Sequence, residues 1–155
     1  MEYNFELKMP DADWMDRLRE RSFTADTAFP DSRMQKLKMR MLDEIGAAVC
    51  INGFDEDTPA LMIRGDFYLS EDAEFRKGEN CRCHGNSAAI WKEDDERYCI
   101  MTGYAMSNDA VWRQHSWVWD NENERIIETT EDRLLYYGFK MTHKECVYFH
   151  DMNEH

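Results

Sequence analysis

The second half of the chain alternates apolar, aromatic-rich runs with short polar turns, and this pattern constrains the fold more than any other feature. "RYCIMTGYAMS" is followed by the turn signal "SND", and "VWRQHSWVWD" by "DNEN"; "RIIETT" and "LLYYGFKMT" come next. Runs of β-branched and aromatic residues bounded by Asn, Asp and Ser read as strands. Connections of a few residues make such strands antiparallel neighbours. "CVYFH" is expected to add a fifth strand. The reading is an antiparallel meander, with the main core between Trp91 and Phe149, where many of the Trp and Tyr residues lie.

The first third reads as helices. In "DADWMDRLRERS", Trp14 and Leu18 are spaced i, i+4, and Asp11 or Asp13 is the expected N-cap. Ser32 and Gln35 fit a capping box. From there Met34, Leu37, Met41, Leu42, Ile45, Ala48 and Val49 share a helical face. Asn52-Gly53 is the expected stop. The segment from Phe54 to Asn80 is irregular, with one short strand expected at Leu61–Ile63 or Phe67–Leu69. Helices first and strands later give an α+β class: N-terminal helices and a Cys-bearing helix packed on an antiparallel sheet of about four to five strands. A length of 155 residues fits one domain, 1–155, with a helical part at 1–53 and a helix-plus-sheet core at 81–150.

Charge and cysteine usage narrow the function classes. The formal net charge is −13, which disfavours nucleic acid and anionic membrane surfaces as partners and permits a basic one. No signal peptide opens the chain and no apolar run approaches a transmembrane span, so a reduced, cytoplasmic protein is expected. The five cysteines, at 50, 81, 83, 99 and 146, are then free thiols. Cys50, Cys99 and Cys146 read as core, and the eleven Met residues as core filling.

"ENCRCHGNSAAIW", Glu79 to Trp91, carries the chemistry. Cys81, Cys83 and His84 offer soft metal ligands, with His143 and Cys146 as the best second half. The Cys-x-Cys spacing and the lack of a second paired motif make zinc the weaker reading, so no metal or other cofactor is expected. A nucleophilic thiol needs its thiolate, which a helix N-terminus stabilises. The small, helix-forming residues after Cys83 would put its sulfur at such an end. His115, between aromatics on the second strand, is the candidate base. Glu128, on the third, is the candidate orienting acid. A hairpin turning near Asn121 and Glu122 sets His115 almost opposite Glu128. His84, one step along the helix start, points away from the thiol. Cys81 is a resolving thiol or a spectator.

The runs "CHGNSA" from Cys83, "TGYAMS" from Thr102, "WRQHSWVWD" from Trp112, "RIIETT" from Arg125 and "YYGFKM" from Tyr136 resemble a group of small bacterial and phage proteins, mostly of unknown function. That group is similar to compact papain-like or transglutaminase-like cysteine folds. The resemblance covers Cys81 to Met141. It implies Cys83 as nucleophile, His115 as base and Glu128 as orienter, where the group often carries Asp. No Gln lies shortly before Cys83 to serve as the oxyanion donor that papain-like enzymes have. The Cys83 backbone N–H, Asn80 or Asn86 is expected in that role, with Trp112 and Gln114 beside His115 completing the oxyanion or substrate-binding set. The implied activity is a cysteine hydrolase or acyltransferase acting on an amide, thioester or ester. Its partner is a peptide or amide-bearing substrate, a host protein among the candidates. The alternative is a non-catalytic acidic inhibitor or adaptor, phage-encoded, occupying a basic groove of a partner protein.

Overall fold

A computed structural model describes residues 3–28, 32–50 and 56–153. In chain order the elements are α1 (Ala12–Ala28), α2 (Ser32–Glu44), β1 (Ala48–Cys50), α3 (Thr58–Arg64), β2 (Asp66–Leu69), β3 (Glu74–Phe75), α4 (Cys83–Glu93), β4 (Tyr98–Met106), β5 (Val111–Asp120), β6 (Arg125–Glu128), β7 (Leu135–Lys140) and α5 (His143–Asn153). The class is α+β. Among the described residues no helix is long and apolar enough to cross a membrane.

The four strands read from the second half all form, but the sheet is larger than expected. Its order is β2-β7-β4-β5-β6-β3, with β1 beside β5. The meander holds for β4, β5 and β6; β7 then returns to the far side of β4. Two additions are parallel, β1 on β5 and β3 on β6. The expected strand at Phe67–Leu69 forms as β2, whereas Leu61–Ile63 lies in α3, which opens with Pro in its first turn.

Two elements differ in type from the sequence reading. The amphipathic helix ends at Glu44 instead of running on to Val49. Gly46, at φ +110°, turns the chain, and Ala48–Cys50 pair with β5, so Cys50 sits on a strand. The Ser32 side chain and Asn52-Gly53 lie outside the described residues. "CVYFH" belongs to α5, not to a fifth strand. A capping box starts that helix: Glu145 N–H donates to Thr142 Oγ1 (3.2 Å) and Thr142 N–H to Glu145 Oε1 (2.8 Å). Asp11 caps α1, accepting from Trp14 N–H at 3.0 Å. There Met15 is buried and Trp14 partly exposed.

Helices α2 to α5 gather on one sheet face, while Met15 of α1 packs on Ala48 and Val111 on the other. Met34, Leu37, Met41 and Leu61 pack on Tyr104, Met106, Trp112 and Tyr137. Ile90 and Trp91 of α4, with Cys146 of α5, pack on Ile100, Val118 and Ile127. The opposite face is buried too, by the sheet's own side chains: Met101, Ala105 and Ile126 around the aromatic rings of Trp117 and Tyr136. Gly138 makes this possible, since a Cβ there would sit 2.5 Å from the Trp117 ring.

Candidate active site

The pairing register leaves a gap beside β5. One edge of β5 is covered along its length by β4. On the other edge β1 reaches Arg113 and β6 begins at Val118, so residues 114–117 have no strand partner among the described residues. The first turn of α4 meets this gap. The Ser116 backbone favours the thiolate form of Cys83, and His84 Nδ1 lies 2.6 Å from Ser116 Oγ. Helix N-terminal amides and the aligned peptide dipoles favour a thiolate at this position.

His115 lies on the face away from α2 to α5 with Trp117 and Tyr136, whose rings lie 5.9 and 6.4 Å away. Its Nε2 faces Glu128, 2.8 Å from Oε1 and 3.1 Å from Oε2. An ionised carboxylate only accepts, so Nε2 carries the proton. That leaves Nδ1 for the Cys83 thiol, which shares the cleft with the His115 ring and interacts with it. Glu128 is held from all sides. Tyr136 donates its hydroxyl to Oε1 (2.8 Å), and Oε2 accepts from Thr129 N–H (2.9 Å), Thr130 N–H (3.0 Å) and Thr130 Oγ1 (3.1 Å).

The titrations follow from these contacts. Burial pushes the Cys83 thiol up, but the hydrogen bond and charge of His115 and the Ser116 backbone hydrogen bond outweigh it, and the net shift is down. Burial pulls His115 down, and its bonds to Cys83 and Glu128 carry it above the ordinary imidazole value. Burial raises Glu128; the His115 hydrogen bond and charge, then Thr130 and Tyr136, bring it below the usual carboxylate range. Both shifts act toward a thiolate–imidazolium pair anchored on a carboxylate. Burial and the His115 charge lower His84, which stays neutral at pH 7.

Cys83 and His115 open into a cleft of ≈ 500 Å³ lined also by Lys77, Asn80, Cys81, Gln114 and Thr130. Gln114 borders a second cavity of ≈ 700 Å³, lined by His84, Phe139, Tyr148 and Phe149 among others. The structure thus brings Cys83, His115, Glu128, Asn80 and Gln114 together. The Gln114 side chain has no hydrogen-bond partner among the described residues, and its exposed amide is open to the cleft.

Two expected binding residues are elsewhere. Trp112 is fully buried, and its indole N–H donates to Ile45 O (2.9 Å) at the end of α2, so it is a core and capping residue. Asn86 spends both polar ends on Glu79, accepting from its N–H (3.1 Å) and donating to its carbonyl (2.8 Å), which ties down the loop before Cys81. Cys81 is exposed with φ +60°, an unusual backbone for a side chain other than Gly or Asn. Cys99 and Cys146 are free thiols held by the sheet backbone, Cys99 donating to the Met141 carbonyl (3.1 Å) and Cys146 accepting from Ile100 N–H (3.5 Å), and His143 leans on Trp91. No three metal-ligating side chains converge among the described residues.

Sequence reading missed Lys77, Thr130, Tyr136 and Ser116. "TT" directly after Glu128 was the available signal, because hydroxyls and amides there can fold back on the carboxylate. No protein-family model, curated protein or solved structure matches this chain.

Proposed function

We propose that this protein is a cysteine-dependent hydrolase or acyltransferase, with Cys83 as nucleophile, His115 as acid–base and Glu128 as orienter, in the manner of papain-like and transglutaminase-like folds. The observation that carries the reading is the Cys83 thiol set beside an imidazole that is hydrogen-bonded to a carboxylate with four further contacts. Burying an ionised carboxylate is costly, and this one acts on a histidine that faces a cleft. An acidic inhibitor gives no account of that arrangement.

In the proposed reaction the Cys83 thiolate attacks an amide, thioester or ester carbonyl. The Cys83 N–H and the Gln114 amide receive the developing oxyanion. The His115 imidazolium gives its proton to the leaving group as the carbonyl–heteroatom bond breaks, leaving a thioester on Cys83. Neutral His115 then takes a proton from water or an amine, which attacks the thioester and restores the thiol pair. A peptide or other amide-bearing molecule is the proposed substrate class. A reducing, cytoplasmic setting suits a mechanism that needs a free thiol.

The test uses p-nitrophenyl acetate as a generic acyl donor. The expected result is a burst of one nitrophenolate per chain and a mass gain of one acetyl group on the Cys83 peptide, both absent in Cys83→Ser. Iodoacetamide should label Cys83 well ahead of Cys50, Cys99 and Cys146 at pH 7. Labelling of Cys83 no faster than these three, with no burst, overturns the reading.

A further inference from the structure

The Cys83 cleft carries an excess of cations in a strongly acidic protein. Lys77, Arg113 and Arg133 line it, against Glu131. Two of the three are spoken for. Arg113 is bidentate on Asp109, at 3.1 and 2.6 Å, and Arg133 lies 3.1 Å from Glu131 Oε1 with its side chain only 8% exposed. Lys77 is different. Its ammonium donates to the Thr130 carbonyl at 2.9 Å and to Asn80 Oδ1, both neutral, and meets no carboxylate among the described residues.

The fold spends two backbone bonds on placing this lysine. Arg76 N–H donates to Glu128 O and Gly78 N–H to Thr129 O, each at 2.8 Å, so the chain on either side of Lys77 is laced to the segment that carries the orienting carboxylate. The ammonium is fixed at the cleft with one proton and its full charge still available.

Resting on the cysteine acyl-transfer reading, we infer that Lys77 is a substrate-binding residue that holds a carboxylate of the acyl substrate beside Cys83. An ammonium bound only by neutral oxygens takes a carboxylate as its natural third partner. The carboxylate belongs to an acidic side chain or to a chain terminus.

Paired alkylation tests this on the intact protein. Iodoacetate and iodoacetamide attack through the same carbon and differ in charge. The ratio of their rates at Cys83, mapped by peptide mass, reads anion recognition separately from thiol reactivity. The His115 imidazolium is common to all variants. Lys77→Gln should lower the iodoacetate-to-iodoacetamide ratio about fivefold, the scale of a half-exposed ion pair, and leave the iodoacetamide rate within about twofold. Lys77→Arg should keep most of the ratio. Protection of Cys83 by N-acetyl-aspartate amide identifies a side-chain carboxylate, and protection by N-acetyl-glycine a terminal one. Equal loss of both rates in Lys77→Gln, or an unchanged ratio, overturns the inference. Slow labelling of wild-type Cys83 by both reagents sinks instead the acyl-transfer reading beneath it.

Discussion

Glu128 reaches His115 along a diagonal, and this explains why a glutamate serves there. The hairpin pairs Val118 with Ile127 and Asp120 with Arg125, two residues off the near-opposite pairing expected from the turn. Continuing that register sets Glu128 opposite Trp117 and one step diagonal to His115, on the same face because the parity is unchanged. Diagonal partners lie some 7–8 Å apart at the backbone, within reach only of longer side chains. Glu128→Asp should therefore lose the Nε2 contact while keeping the charge. Acyl transfer should fall about tenfold or more, roughly 1.4 kcal/mol of barrier, and the apparent Cys83 pKa should rise as the imidazolium loses its anchor. Stopped-flow bursts and iodoacetamide rates against pH measure both; wild-type rates in Glu128→Asp would show the diagonal to be unimportant. The wild-type profile has a definite sign. Cys83 is shifted down, so its thiolate is present from below the ordinary thiol range upward and lost as pH falls through the lowered value. His115 is shifted up, so its proton persists beyond the ordinary imidazole range and is lost as pH rises through the raised value. Acyl transfer should be bell-shaped between the two, whereas alkylation by iodoacetamide should keep its thiolate limb alone.

The α5 helix shows how local signals compete. Thr142-x-x-Glu145 is a capping box legible in the sequence, yet the apolar run "CVYFH" also fits a strand. What decides is tertiary: Cys146 packs into the Ile100 and Val118 cluster, and Glu145 pairs with Arg64 of α3 at 2.9 Å. Thr142→Ala should cost about 1 kcal/mol, read by chemical denaturation, with the strands' amide exchange unchanged. The same competition hid β1, since Ala48 and Val49 hold helical spacing and only Gly46 breaks it. Cys83 on its helix and His115 and Glu128 on their strands were legible because each rests on a local pattern: small residues after a cysteine, or alternation within a strand. Lys77 and Tyr136 were not, because each reaches the site through strand pairings distant in sequence, β3 beside β6 and β7 beside β4. Trp112 and Asn86 looked suited to a site by residue type alone, and burial and hydrogen bonding assign them elsewhere. Strand β7 offers a sharper test. A Cβ at Gly138 would meet Trp117 at 2.5 Å and Thr102 O at 2.7 Å. Gly138→Ala should destabilise by about 3 kcal/mol and displace the ring that flanks His115, so a variant of wild-type stability would refute the close approach.

Two electrostatic effects of opposite sign act on the folded chain as a whole. A net charge of −13 repels itself in the compact state, so lowering the pH toward the pI of about 4.7 should relieve that repulsion. Against this stand two buried carboxylates that the fold needs ionised. Asp120, nearly inaccessible, is bidentate with Arg97 at 3.0 and 2.9 Å and accepts from Glu122 and Asn123. Its pKa is held well below the ordinary carboxylate range, first by the Arg97 hydrogen bond, and Glu128 is likewise depressed. A depressed folded-state pKa contributes stability that is complete above the unfolded value and is lost as pH falls through the folded one. The two effects therefore separate along the pH axis. Self-repulsion eases between pH 8 and about 5, where both buried carboxylates are still ionised, and their stabilisation drains away below the unfolded carboxylate range near 4. The melting temperature should rise modestly from pH 8 to 5 and then fall steeply. Added salt should raise it at pH 8 and do little at pH 5. Asp120→Asn should destabilise the fold at pH 7 by leaving the partly exposed Arg97 without its carboxylate and should flatten the acid limb. Scanning calorimetry across pH reads all three, and a melting temperature that falls steadily from pH 8 to 5 would place the balance with the specific ion pairs over the net charge.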